Sequence, residues 1–266
     1  MNIESVKAVY FSPTRTTKAV IEGIVRGLDP VSVEVFDITR PDARIQPLRA
    51  SENELLIVGV PVYRGRVPAL LSGWLHAISA RDTPAVCVVV YGNRIYDDAL
   101  LELSDILTGC GCRPIAGAAC IGEHSFSSDE MPIAEGRPDA VDLRHIEAFG
   151  REVREKLSAI PSADRIGILT LPGCRPYRGD PQIVAEDFIA VSDACTQCGI
   201  CAEVCPVGAI DPEDATLTDA GVCITCSACI KSCPEQARSI KPGRVKDMSL
   251  RLYALCRERK EPEFFL

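Results

Sequence analysis

CTQCGICAEVCP at residues 195–206 returns, with its pattern intact, as CITCSACIKSCP at 223–234. Both stretches read C-x-x-C-x-x-C-x-x-x-C-P. Every cysteine recurs 28 residues later: 195 and 223, 198 and 226, 201 and 229, 205 and 233. Three cysteines at this spacing wrap one corner of an iron–sulfur cubane, and the turn at proline carries the fourth away. Tetrahedral zinc uses paired C-x-x-C knuckles, not triplets with a trailing Cys-Pro.

The rest of the composition is consistent with that reading. Fourteen cysteines in 266 residues is high, and eight of them fall within 195–233. A secreted disulfide scaffold would be shorter and would begin with a basic and then an apolar segment, which MNIESVKAVY lacks. The expected compartment is therefore the cytoplasm, with reduced thiols acting as metal ligands. A net charge of −8 argues against nucleic acid or an anionic membrane as partner. No apolar run approaches the ~20 residues that span a bilayer. At 47% hydrophobic and only 5% aromatic, the chain should build an aliphatic core.

Towards the N-terminus, strand-like and helix-like patterns alternate through residues 1–160. VKAVYFS (6–12), VSVEVFDI (31–38), ELLIVGVPVY (54–63), PAVCVVVYG (84–92) and PIAGAACIG (114–122) read as strands. Between and after them, TTKAVIEGIVRGL, ALLSGWLHAI behind Pro68, YDDALLELSDILTGCG (96–111) and RHIEAFGREVREKLSAI (144–160) read as helices. Buried strands alternating with helices imply an α/β fold with a parallel sheet covered on both faces, and five strands suit a flavodoxin-like order. Residues 161–189, rich in Pro, Gly and Asp, read as a linker or extended wrap. Residues 190–240 form a compact second unit. In 241–266 the spacing of Val245, Met248, Leu252 and Leu255 predicts a helical extension docked on a neighbouring domain.

The segment 190–240 resembles a bacterial two-cluster ferredoxin, a small α+β domain. The resemblance implies that Cys195, Cys198, Cys201 and Cys233 hold one [4Fe–4S] cluster, and Cys223, Cys226, Cys229 and Cys205 the other. Small residues Gly199 and Ala228 would let backbone amides approach the inorganic sulfurs. From 190 to 236, Lys231 stands alone against seven acids, a field that depresses reduction potential and attracts basic redox partners. The other six cysteines (Cys87, Cys110, Cys112, Cys120, Cys174 and Cys256) fit no third cluster pattern.

FSPTRTTKA (11–19) follows the first strand and opens the first helix. Unpaired amides at a helix start, joined by hydroxyls, make an anion cradle; the same hydroxyls also serve as plain helix caps. Ser12-Pro13-Thr14-Arg15-Thr16-Thr17 resembles the flavodoxin phosphate loop S/T-x-T-G-x-T, with Arg15 in place of its glycine. If that glycine holds φ > 0, arginine there is strained or the loop takes another path. The loops PVYRGRVP (61–68) and YGNRIYDDAL (91–100) fall where flavodoxins place their isoalloxazine loops. The resemblance implies contacts from Pro61, Tyr63, Arg64, Gly65, Tyr91, Gly92, Asn93, Arg94 and Tyr96, with Tyr91 and Tyr96 flanking the ring.

A flavodoxin-like half followed by a two-cluster half is similar to the flavodoxin–ferredoxin fusion proteins of anaerobic bacteria and archaea, which implies FMN and electron transfer between flavin and clusters. Two other functions are compatible: an FMN-dependent reductase of a small oxidant, with His124 or Tyr96 as proton donor, and a ferredoxin whose first half is a flavin-free docking platform. The loop 122–142 is long enough to suggest function or disorder. His124 lies in it, just beyond the fifth strand. Oligomeric state and direction of electron flow have no signature in the sequence.

Overall fold

The computed structural model describes residues 1, 3–180 and 185–266. Its larger part is a sheet whose first five strands are parallel: β1 (Ser5–Tyr10), β2 (Val33–Asp37), β3 (Glu54–Pro61), β4 (Thr83–Tyr91) and β5 (Cys112–Ile121). The lateral order is β5-β4-β3-β1-β2. This is the doubly wound, flavodoxin-like order, with its switch point between β1 and β3. All nine residues of β4 are buried, as a central strand covered on both faces requires. At the sheet's edge, Val33 and Val35 of β2 are exposed.

Alternate residues divide the core into two layers. Val9, Leu56, Val58, Cys87 and Val89 face α2 (Ser72–His76) and α3 (Ala99–Gly109). Ala8, Leu55, Ile57, Val86 and Val88 face α1 (Thr16–Leu28) and α4 (Ala140–Ala159). Helices α1 and α4 meet through glycines. A Cβ on Gly27 would run into the Glu147 carbonyl, and one on Gly150 into that of Ile24.

The loop 122–142 is ordered. Met131 and Ile133 are buried in it, Ser127 Oγ accepts from the Ile133 amide, and buried Arg137 pairs with Asp142 at the start of α4. Beyond α4 the chain wraps across α3. Leu171 packs against Gly117, and the amides of Cys174 and Arg178 donate to Asp98 at 3.0 and 2.6 Å. Tyr177 and Arg175 hold Asp105.

The cysteine-rich half is small. Antiparallel strands β6 (Ile189–Val191) and β7 (Arg238–Ile240) bracket it, and two single-turn helices, α5 (Ile200–Glu203) and α6 (Ala228–Lys231), lie inside. Helix α7 (Arg244–Leu255) follows. It buries Val245 against Phe126 and Phe188 and leaves Met248 and Leu255 largely exposed. The extension expected to be helical to 266 is helical only to Leu255. Residues Glu263–Phe265 form β8, which joins the large sheet antiparallel to β5 as its sixth strand. Phe264 stacks on Phe149 at 4.7 Å. Among the described residues no helix is long and apolar enough to cross a membrane.

Candidate functional site

Two small cavities open in the cysteine-rich half, one at each loop of the repeat. Cys205, Cys223, Cys226 and Cys229 line one. Cys195, Cys198, Cys201 and Cys233 line the other. The fourth cysteine of each run thus crosses to the opposite cavity. The backbone repeats with the sequence: Gln197 and Gly199 are left-handed, and so are Thr225 and Ser227. The Ala209 amide donates to Cys205 Sγ at 3.2 Å, and its twin, the Ala237 amide, to Cys233 Sγ at 3.3 Å. Among the described residues no three His, Cys, Asp or Glu side chains converge closely enough to hold a single ion. Each cavity collects four cysteines, the ligand number of one [4Fe–4S] cluster.

Electrostatics point the same way. Burial pushes the Cys226 thiol well up and the Cys229 thiol to about 11. Arg238 is buried and lines the Cys195 cavity. Its guanidinium donates to the Ala215 carbonyl and to Thr218 Oγ1 at 3.3 Å. Among the described residues no carboxylate pairs with it. A buried cation without a carboxylate needs another anionic partner, and two thiolate-ligated clusters on either side supply one. The donor set and this charge fit two [4Fe–4S] clusters.

The two cavities differ in position. Around the Cys195 cavity Cys198 is exposed, Cys195 and Cys233 are half-buried and Cys201 is buried; around the Cys226 cavity Cys205, Cys226 and Cys229 are buried and Cys223 is half-buried. Ile224, Cys226 and Ala228 belong to the same apolar core as Phe11 and Leu71 of the sheet half. The Cys226 cavity therefore abuts the carboxyl ends of the parallel strands. Arg44 fixes that contact: its Nη2 donates to the Pro206 carbonyl at 2.7 Å while the guanidinium lies over Phe11. Lys231 pairs with Glu123 across the same seam. Tyr63 packs there too. Burial, with the Cys226 and Cys223 thiols beside it, pushes the phenol well above its ordinary range.

Residues 12–17 form a cradle at the start of α1. Arg15 takes φ 66 and ψ −4, the left-handed conformation suited to glycine, and its side chain is exposed. The Ser12 hydroxyl accepts from the Lys18 amide at 3.0 Å, so Ser12 caps α1. Among the described residues the amides and hydroxyls of Thr16 and Thr17 and the hydroxyl of Thr14 have no hydrogen-bond partner. Gly122 backs the cradle, and a Cβ there would come within 2.8 Å of Thr16. Open donors at a helix start fit a phosphate group.

The ring loops are more constrained. In loop 61–68, Tyr63 and Arg66 exchange backbone hydrogen bonds, both 3.0 Å, around left-handed Arg64 and Gly65. Gly65 abuts Asp97, which pairs with Arg94 at 2.6 Å. Asn93 Nδ2 donates to the carbonyls of Cys256 and Glu258, while its buried Oδ1 has no partner. Tyr91 and Tyr96 do not stand on either side of an open slot. Their rings pack on each other at 5.4 Å, both are buried, and the Tyr96 hydroxyl donates to Glu263 at 2.8 Å. The segment that forms β8 pulls Tyr96 inward. Burial and Glu263 push the Tyr96 pKa up, so its proton is held. His124 packs against Gly92, and its Nδ1 accepts from the Phe126 amide at 3.0 Å. Burial, with Lys231 and Arg94 nearby, pushes its pKa down to about 4. His124 is therefore neutral at pH 7, with its remaining proton on Nε2.

The residues that sequence reasoning missed are Arg238, Ser227 and Asp98. A signal existed for the first two, because the repeat places Ile210 and Gly199 at the matching positions. Asp98 had none, since its partners lie 76 and 80 residues away. The other cysteines stay outside the cavities. Burial raises Cys87, Cys112 and Cys120 in the strands, and Cys110 and Cys256 elsewhere. Cys174 is exposed in the wrap.

Residues 188–241 match the 4Fe-4S dicluster domain family. No curated protein sequence matches the chain. Among solved structures, a flavodoxin from the domain Archaea is 16% identical, with 58% of this chain and 99% of that one covered and a TM-score of 0.41. A flavodoxin from Streptococcus pneumonia TIGR4 is also 16% identical, at 57% and 99% coverage and a TM-score of 0.40. An apo-form NADH:FMN oxidoreductase is 16% identical, at 61% and 94% coverage, also with a TM-score of 0.40. The assignment of the sheet rests on its own strand order.

Proposed function

From a chain that joins a flavodoxin-like α/β half to a 4Fe–4S dicluster half, we propose an electron-transfer iron–sulfur flavoprotein in which electrons pass between an external redox partner, two clusters and FMN. The observation that carries the proposal is the seat of the Cys226 cavity against the strand ends, with Tyr63 packed in the seam. The exposed Cys195/Cys198/Cys201/Cys233 cluster faces the partner, and the buried Cys205/Cys223/Cys226/Cys229 cluster faces the flavin loops. Holding both in one chain keeps each at high effective concentration for the other.

FMN, when bound, supplies two-electron chemistry to centres that each take one. The chain's own residues do the rest. Thr14, Thr16 and Thr17 donate to the phosphate through hydroxyls and helix-start amides. Ser12 caps α1 and holds the loop's shape, and Arg15 keeps the left-handed turn with its charge at the rim. Pro61, Tyr63, Arg64 and Gly65 in one loop and Gly92, Asn93 and Arg94 in the other would hold the ring, with the unpartnered Asn93 Oδ1 available as an acceptor.

The reductase reading is weaker because neither candidate donor has an acidic proton to give: His124 is neutral and Tyr96 donates to Glu263. The flavin-free reading draws on Arg15; against it, the left-handed turn there keeps the loop on the path a glycine would take. The test is anaerobic purification, reconstitution with excess FMN, and quantification of flavin after denaturation. Near-stoichiometric FMN is expected. Less than about 0.2 FMN per chain would sink the flavin assignment.

A further inference from the structure

The repeat allows each residue of one cluster loop to be compared with its twin. Cys198-Gly199-Ile200-Cys201 corresponds to Cys226-Ser227-Ala228-Cys229. The second position is left-handed in both, φ 77 at Gly199 and φ 57 at Ser227. Glycine takes that conformation freely and serine only against steric resistance. Among the described residues no side-chain hydrogen bond of Ser227 offsets that cost. Ser227 is 2% exposed, and its Oγ has no hydrogen-bond partner among the described residues. It stands at the N-cap of α6 yet makes no capping bond, although serine side chains there ordinarily accept an amide. It lines the cavity ringed by Cys205, Cys223, Cys226 and Cys229. A strained residue with a buried, unmatched hydroxyl on the wall of an anion-holding cavity needs a partner, and the cavity's occupant is the one within reach.

We propose that Ser227 Oγ donates a hydrogen bond to a sulfur of the buried cluster, and that this bond, which Gly199 cannot make, holds the buried cluster at a higher reduction potential than the exposed one. The proposal rests on the assignment of those four thiols as ligands of a single cluster. A donor to sulfur interacts more strongly once the cluster has gained an electron, so it favours the reduced form. One electron enters the cluster and the proton stays on the serine oxygen. Arg238 is a separate influence, since it lines the other cavity, and removing the Ser227 hydroxyl leaves it in place. An electron arriving at the exposed cluster then runs downhill towards the seam with the sheet.

The test is a potentiometric titration of the full, anaerobically reconstituted chain, followed by electron spin resonance. Ser227→Ala is expected to lower one midpoint and leave the other. At the wild-type midpoint the ratio of reduced to oxidised buried cluster should fall about tenfold, equal to about 59 mV for one electron. Gly199→Ser, where a Cβ meets open space, should raise the other midpoint. If Ser227→Ala does not assemble, Ser227→Gly, which copies the twin, carries the same expectation. Unchanged midpoints, or equal shifts in both, in a variant with full iron and sulfide content would overturn the proposal. Iron content too low for two clusters in the wild type, or an undiminished content in Cys226→Ser, would instead overturn the ligand assignment beneath it.

Discussion

At Arg15 the main chain adopts a glycine-like turn with a side chain that resists it, a cost of about 1–2 kcal/mol. The turn leaves the Thr16 and Thr17 amides open, and Thr14 and Thr17 add hydroxyls. Replacing both Thr14 and Thr17 with alanine should weaken FMN binding by about 1–3 kcal/mol in a fluorescence titration. Unchanged affinity would refute the loop assignment. His124 gives a pH-dependent expectation. Its folded pKa, about 4, lies below the ordinary value of about 6.5, so the fold resists its protonation. That contribution is complete above pH 6.5 and is lost as pH falls towards 4. Between pH 7.5 and 5.5 it should lower stability by about 1.4 kcal/mol, and His124→Gln should remove that slope from anaerobic thermal melts. The sequence marked these residues through their neighbours: hydroxyls before a helix, a histidine after a strand. It could not show that Tyr96 is committed to Glu263, because that partner is 167 residues away.

Helices α1 and α4 approach so closely that backbone meets backbone. Alanine in place of a helical glycine normally gains about 1 kcal/mol. At Gly27 the added methyl would strike the Glu147 carbonyl and crowd Gly150. Gly27→Ala is therefore expected to cost roughly 1–3 kcal/mol net. Gly73→Ala in α2, where a Cβ has no neighbour within 4 Å, should be neutral or stabilising. Paired thermal melts check both, and equal behaviour would contradict the close crossing. The inner strands were legible as apolar runs, and the edge strand β2 by its alternating valines. Strand β8 was not: EFF is three residues long, and its pairing depends on β5 rather than on any pattern of its own. The wrap at 171–178 was equally silent, since Asp98 and Asp105 hold it through single side chains.

At the scale of the molecule, a solvent-facing cluster stands over a buried one, and the buried one over a sheet. Glu235 lines the exposed cavity, and Asp214 binds Gln197 beside it. A basic electron donor should therefore reduce the protein several-fold more slowly as salt rises from about 0.05 to 0.5 M. The subsequent transfer within the chain should not slow, since its distance is fixed by buried contacts. Stopped-flow traces separate the two phases, and equal salt dependence of both would refute this order of centres. The two-part architecture was legible in the cysteine repeat and the βα alternation. The seam between the parts was not, because nothing in the sequence pairs Arg44, Lys231 and Tyr63 with Pro206, Glu123 and Cys226 before the fold brings them together.

Strand β8 also has a consequence for how the protein is made. The edge of β5 that it covers is complete at residue 121, and its cover begins at 263, so about 140 residues separate them, including all eight ligand cysteines. At ~5–20 residues per second the nascent sheet waits on the order of ten seconds with that edge bare. The edge is sealed only by a segment made after all eight cysteines of the repeat.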